Sequence, residues 1–544
     1  MRLISSVTII LMRSAEKAIG FVSRALPLKP PKAIAVFFQP RLEAGMLYVS
    51  PQTFARFVVV SLLLAGVAEV AIVAVASYPV SLLLLALPLL VQAFPFLLLT
   101  TRRWQRRRAV DSELPYMAML FYILSRRSSS SATAAFGTLV ALGPNVLPAF
   151  YAEAQRVLRD LTYGSDGDRA GIEKCFVDHP SGQLQEFIHG YSTAVVTGRD
   201  VGEFVESEST RFLDNQGERW RTYSSLLSSM TEVAFIFLAV FPIGIQMVAG
   251  SAFTLSSSQI LAVSALLLSA VTCGLLLWMD ANQPLSNDRP YSSRFLAIST
   301  VSFLALMLLY QLRLAGSVLV AASVLSITTL GALLARRHYW AVRDGDRVIG
   351  AMVHDLAELV RAGVELPAAL DVLASEARRF NSVREPLAAF SKLLASGEQP
   401  LTAQRSVAHP SWMVRVSFAL LSATLETGGG YEQLDKLSLY FRRIADSKAA
   451  IRSSVLPFAF LGVIVPAISA ASSWLLKSMQ PLGPGLSFMH FPADATGVAG
   501  SIVAASFLAG LVVSKAYSQS ARSMVGLPPL LCSALVSFLF FGSA

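Results

Sequence analysis

Nine apolar runs, each near the ~20 residues that carry an α-helix across a hydrocarbon layer, constrain this chain more than any other feature. They cover approximately Phe57–Ser77, Val80–Leu99, Val233–Ala249, Ile260–Met279, Phe295–Leu312, Ala315–Leu334, Val455–Leu476, Gly497–Val513 and Val525–Phe541. Composition agrees: 54% of the residues are hydrophobic and 15% charged, against about 25% charged in ordinary soluble domains. Backbone groups in lipid must bond within their own segment, so the runs read as helices and the chain as an all-α, polytopic membrane protein with about nine transmembrane helices.

Lysine and arginine are costly to translocate and collect on the cytoplasmic side. With the N-terminus inside, residues 1–56, 101–232, 281–294, 335–454 and 514–524 hold 43 of the 45 basic residues, leaving Arg313 and Lys477 outside. A miscounted span would invert everything after it, so the tally supports nine crossings, a cytoplasmic N-terminus and an extracellular C-terminus in the cell membrane. The domains expected are a cytoplasmic or interfacial segment over 1–56, spans over 57–100, a cytoplasmic helical domain over 101–232, spans over 233–334, a second cytoplasmic domain over 335–454, and spans over 455–544.

A net charge of +10 raises the question of nucleic acid, and its placement answers it. Residues 109–229 hold 10 basic and 15 acidic side chains, whereas Arg102, Arg103, Arg106, Arg107 and Arg108 crowd the end of the second span. The positive charge hugs the membrane, where topology and anionic lipid account for it. Leu3–Leu26, with Arg13, Lys17 and Arg24, reads as an interfacial amphipathic helix rather than a signal peptide. Cys175, Cys273 and Cys532 have no paired spacing, which argues against a disulfide framework or a zinc site.

The two long polar blocks look like copies. One contains VDHPSGQLQEFIHGYSTAVVTGRDVGEF and the other SVAHPSWMVRVSFALLSATLETGGGYEQL. In each, His-Pro-Ser precedes a Thr-Gly whose glycine stands 18 residues after the proline: Pro180 and Gly198, Pro410 and Gly428. Upstream, the helical pattern sets Arg127 against Arg361. Downstream, each copy runs into a span containing a proline, Pro242 or Pro466. Breaks are expected at Gly143–Pro144, Tyr163–Asp168 and His179–Ser181, and at Gly363, Gly397–Pro400, His409–Ser411 and Gly428–Gly430, which makes each block an antiparallel helix bundle.

The repeated turn at Gly198 and Gly202, and at Gly428, Gly429 and Gly430, lacks the lysine and Ser/Thr of a phosphate loop. It reads as a helix stop in which glycine supplies positive φ and positions the membrane-directed helix. His179 and His409 read as turn residues, since the second copy has Ala408 where the first has Asp178. HExxH, GxSxG and P-loop patterns are absent, so neither catalysis nor a cofactor is expected. Glu69 is the one acid deep in an apolar run, and reads as an interhelical hydrogen-bonding or protonated carboxyl rather than part of an ion pathway.

The duplicated block, its Thr-Gly turn leading into a long helix and span, and the additional spans together resemble the type II secretion F-domain platform proteins of type IV pilus-like machines, the PilC/TadC/FlaJ-like group. The resemblance covers about 109–250 and 350–475. Glu426-Thr427-Gly428-Gly429-Gly430 with Leu434 and Leu437 is a variant of the family's Gly-Glu-x-x-Gly turn, and Gly198 to Gly202 with Glu203 another. The number of spans is similar to the archaeal pilus and archaellum members. The resemblance implies a homodimeric membrane platform between a cytoplasmic hexameric ATPase and a filament of pilin-like subunits, with no enzymatic activity of its own. Motor-contact candidates are Arg102, Arg103, Arg106, Arg107, Arg108, Arg336 and Arg337, whose other reading is topology and membrane lipid. The rival function is a polytopic transporter or channel, which predicts paired intramembrane charges.

Overall fold

A computed structural model describes residues 36–39, 41–42, 45, 50–75, 80–125, 132–163, 168–237, 257–289, 317–375, 380–449 and 510–515; at 64, 68, 70–75, 80–91, 231, 235, 257–268, 317–332 and 334 it describes the backbone alone. Every regular element among the described residues is a helix. Among these residues no helix is long and apolar enough to cross a membrane. Of the nine apolar segments, 295–312, 455–476 and 525–541 lie outside the description, as do Leu3–Leu26, Arg127, Pro242 and Pro466, and the other segments are described in part. The chain divides into two units, Met1–Phe212 and Leu213–Ala544.

In the first unit, helix α1 (Pro51–Val75) packs against the start of α2 (Val80–Ser125). Phe38, Leu42, Phe54, Val58, Leu98 and Leu99 form one buried cluster where the two helices meet the chain before them. Helix α2 is 46 residues long, about 70 Å at 1.5 Å per residue. It passes from its apolar half into its arginine-rich half without a break. Thr100 and Thr101 at the changeover turn their hydroxyls back onto Phe96 and Leu97 carbonyls at 2.9 and 2.6 Å, as a helix interior allows.

Four shorter helices surround the far end of α2: α3 (Ala132–Leu142), α4 (Pro148–Tyr163), α5 (Asp168–Phe176) and α6 (Gly182–Thr197). Tyr116 to Ile123 are buried at every position, the pattern of a helix covered on all sides. Phe121 makes edge contacts with Phe136 and Phe187, at 5.6 and 5.7 Å between ring centroids, the geometry favoured by the ring quadrupole. The 35-residue α7 (Val201–Phe235) then carries the chain out of the first unit.

The second unit contains α8 (Ser257–Asn282), the 45-residue α9 (Ser317–Arg361), α10 (Leu366–Ser375), α11 (Arg384–Ala395), the single turn α12 (Pro400–Ala403), α13 (Trp412–Thr427) and α14 (431–449). Here α13 is the central element, buried at every position from Trp412 to Thr424. All the expected breaks fall between helices. The break at 380–383 between α10 and α11 was not expected; it has no glycine or proline to mark it. The domain boundaries expected at 101, 233 and 335 fall inside α2, α7 and α9, because no helix-breaking residue stands there.

Candidate functional site

The His-Pro-Ser tripeptide builds the same structure twice. Ser181 caps α6, its Oγ accepting from Leu184 N at 3.2 Å, and Ser411 caps α13, its Oγ accepting from Val414 N at 3.3 Å. Each cap serine also donates its backbone N–H to the preceding histidine, Ser181 to His179 Nδ1 and Ser411 to His409 Nδ1, both at 3.1 Å. Each serine hydroxyl in turn donates to an aspartate on the unit's long helix: Ser181 to Asp111 of α2, and Ser411 to Asp346 of α9 at 2.5 Å. Proline stiffens the turn, histidine and serine satisfy its orphan backbone donors, and aspartate ties the corner to the bundle.

At their other ends both capped helices stop on glycine in the left-handed region, Gly198 and Gly428, each at φ 68°. A β-branched side chain is disfavoured there by roughly 1–2 kcal/mol. Of the remaining turn glycines, Gly202 lies in the first turn of α7, its N–H donating to Asp200 Oδ1 at 2.8 Å. Gly429 has ordinary φ, but an added Cβ would stand 2.6 Å from Thr424 Cγ2, and Gly430 has open space around it. Positive φ is thus required at one residue per copy and not across the run, because a single left-handed residue is enough to turn the chain. Gly428→Val is expected to destabilise the α13–α14 corner by about 1–2 kcal/mol while Gly430→Ala stays near neutral; amide exchange across 412–449 in the full-length chain measures both, and equal protection would remove the turn from the account.

The two caps differ in what lies beneath the histidine. With Nδ1 accepting from Ser181, the proton of neutral His179 sits on Nε2, which donates to Glu153 Oε1 at 3.2 Å. Arg106 adds a two-pronged contact to the same carboxylate, 2.7 Å from Nε and 2.9 Å from the terminal nitrogen. All three side chains are buried, Arg106 at 7%, Glu153 at 2% and His179 at 0% exposure. Burial by itself would raise the Glu153 pKa, but the hydrogen bonds from His179 and Arg106 and the Arg106 charge outweigh it and hold the pKa at about 2.

Among the described residues no carboxylate bonds to the His409 ring, and its Nε2 has no hydrogen-bond partner. Burial is the largest influence on this ring and Arg415 adds to it, against weaker support for the charged form from the Ser382 backbone and Asp288; its pKa falls to about 4. Around this cap the chain adds a strap, the segment after α8. Asp288 Oδ1 accepts from Trp412 N at 2.6 Å, and Arg289 N donates to Pro410 O at 2.9 Å. Arg415, buried on α13, donates to the carbonyls of Asn287 at 2.6 Å and His409 at 2.8 Å. Lys448 of α14 reaches Asp346 at 2.8 Å. Burial pushes the Asp346 carboxyl up, Lys448 pulls it back and Asp288 pushes it further up.

The candidate arginines separate into two classes. Arg106 is turned inward onto Glu153, whereas Arg103, Arg107, Arg336 and Arg337 are exposed and Arg102 and Arg108 half-buried. Arg107 lies 3.6 Å from Asp111. Glu69 of α1 accepts from Gln92 of α2 at 2.8 Å, joining two helices. Among the described residues no group of three or more His, Cys, Asp or Glu side chains is placed to hold a metal.

Asp111, Asp346, Glu153, Asp288, Arg415 and Lys448 were not singled out from sequence. Setting Arg127 against Arg361 puts Asp111 opposite Gly345, one residue from its true counterpart, so the shared aspartate was within reach of the repeat. Residues 352–474 match the family model described as Type II secretion system (T2SS), protein F. No curated protein and no solved structure matches the chain.

Proposed function

We propose that this chain, with a T2SS protein F domain over residues 352–474, is the membrane platform of a type IV pilus-like assembly or secretion machine, passing the work of a cytoplasmic hexameric ATPase to pilin-like subunits. One observation carries the reading. The cap serine, the helix after it, its left-handed glycine and the next helix recur at 181 and 411, 182 and 412, 198 and 428, and 201 and 431. The matched domain is thereby one of two built alike, which is what a two-domain platform requires.

Packing within each unit is in keeping with the topology of the basic residues. In the first unit, Phe38 and Leu42 pack against the start of α1 and against Leu98 and Leu99, where the apolar half of α2 ends, which is in keeping with a common side for the chain before α1 and the arginine-rich half of α2. In the second, the strap 283–289 bonds to the His409 corner, and Lys515 is paired with Asp280. These contacts are in keeping with a common side for the strap, the His409 corner and Lys515. The strap also gives a route for force: movement of α13 pulls on Asn287, Asp288 and Arg289, which follow α8 directly.

The second reading is a polytopic transporter or channel, favoured by the buried Asp280–Lys515 pair. Disruption of the gene separates them. The platform reading expects loss of surface filaments with insertion of other membrane proteins intact, and co-purification of a secretion-type ATPase with the full-length chain in neutral detergent. Normal filaments with loss of a solute flux would sink it.

A further inference from the structure

Three arginines at the domain roots, Arg336 exposed and Arg108 and Arg343 half-buried, share a geometry that their sequence spacing does not reveal. Trp104 on α2 is 44% exposed with the Arg108 guanidinium over its ring at 4.9 Å. Trp340 on α9 is 55% exposed and flanked by Arg336 and Arg343, each 5.7 Å from the ring centre. A third pair, Arg41 over Phe37 at 3.7 Å, lies in the first unit beside Phe38, which packs against Phe96 of α2. These are helix neighbours three or four residues apart, so each cation is held on its ring by the local helix.

We infer that these tryptophan–arginine sites bind the phosphate headgroups of anionic phospholipid, so that the platform's two roots are seated on acidic lipid. The inference rests on the membrane reading above. Three features favour lipid over a protein partner. Trp104 and Trp340 follow Leu99 and Leu334, the ends of apolar runs, by five and six residues. That is about 8–9 Å of helix, the depth of a headgroup layer. The surface leading up to them is apolar and exposed, with Phe94, Phe96 and Leu97 before Trp104 and Leu333 before Trp340. And from 101 to 110 and from 333 to 343 there is no acidic residue in the chain, so basic charge leads at the membrane-proximal end of each root, ahead of Asp111 and Asp344. An indole at the water–lipid boundary with a guanidinium to hydrogen-bond phosphate is the chemistry an anionic headgroup asks for. Arg106 is excluded, since Glu153 already takes its fork.

The test uses the full-length chain in nanodiscs of equal parts phosphatidylglycerol and phosphatidylcholine, with lipids retained after release counted by native mass spectrometry. Wild type is expected to keep phosphatidylglycerol in preference to phosphatidylcholine, and excess inorganic phosphate should not displace it. The quadruple variant R103Q/R108Q/R336Q/R343Q should lose this preference by roughly tenfold. The matching quadruple lysine variant should keep most of it and controls for folding. No preference in the wild type, or an unchanged preference in the glutamine variant, overturns the inference. If that variant kept its lipid but lost the ATPase in a pull-down, the arginines would belong to the motor contact instead. Carbonate extraction of membranes separates the two levels: a wild-type chain that washes off removes the membrane reading and this inference with it, whereas an integral chain without lipid preference removes the inference alone.

Discussion

A Glu153→Ala chain is expected to lose about 3–5 kcal/mol of stability from its first unit, the cost of stripping one partner from a buried ion pair. Two groups are affected at once: Arg106, at 7% exposure, loses the carboxylate that takes its two-pronged contact, and His179 Nε2 loses its acceptor. A loss of this size is comparable to the whole stability of a marginal domain. Limited proteolysis of the full-length protein, followed by cleavage sites in 102–212, reads it out, with cleavage in 335–449 as the internal reference. Glu153→Gln should be milder, because the amide oxygen can still accept from one donor. The double variant Arg106→Met, Glu153→Met should recover much of the loss, since it removes the charge pair rather than half of it. If Glu153→Ala left the first unit as resistant as wild type, the triad would contribute nothing to the fold.

Mild acid is expected to loosen the two caps at different pH. His409 titrates near 4 in the folded chain against an ordinary 6.5, so the unfolded state takes up the proton first as pH falls. Stability tied to this ring is fully present above pH 6.5 and is lost between 6.5 and 4, by about 3 kcal/mol. The chief cause is burial, which disfavours the charged ring; in addition a protonated Nδ1 could no longer accept from Ser411 N. Glu153 behaves as a depressed carboxylate, with its pKa moved from 4.5 to about 2. Its contribution, also about 3 kcal/mol, is present above pH 4.5 and is lost as pH falls towards 2. Amide exchange corrected for intrinsic rates should therefore show α13 losing protection between pH 6.5 and 5 with no matching loss from Glu153 in α4. His409→Asn, which cannot gain a proton, should flatten the response of α13. Loss of protection in α13 at the same rate in the His409→Asn chain would assign the acid response to another group.

Much of the helical layout was legible in the sequence because the signals are local. Apolar periodicity, the turns at His179 and His409, and the stops at Gly198 and Gly428 act within one or two turns of helix, so residues close in the chain report them directly. The duplication was legible for the same reason, since local corners repeat at a fixed spacing. The unbroken course of α2, α7 and α9 was not: a fall in hydropathy marks a change of solvent and not a change of backbone, and no breaker coincides with it.

What only tertiary structure decided is the identity of the partners. Glu153 lies 47 residues from Arg106, Asp346 lies 65 from Ser411, and Asp288 lies 124 from Trp412. Separations of that size have no helical period to betray them, and each pair forms only when burial brings two helices together and an unpaired charge or backbone donor there would be costly. The same holds for the difference between the copies. Sequence gives both the same histidine, proline and serine, but Glu153 beneath one ring and its absence beneath the other come from helices that pack against the corner from elsewhere in the chain.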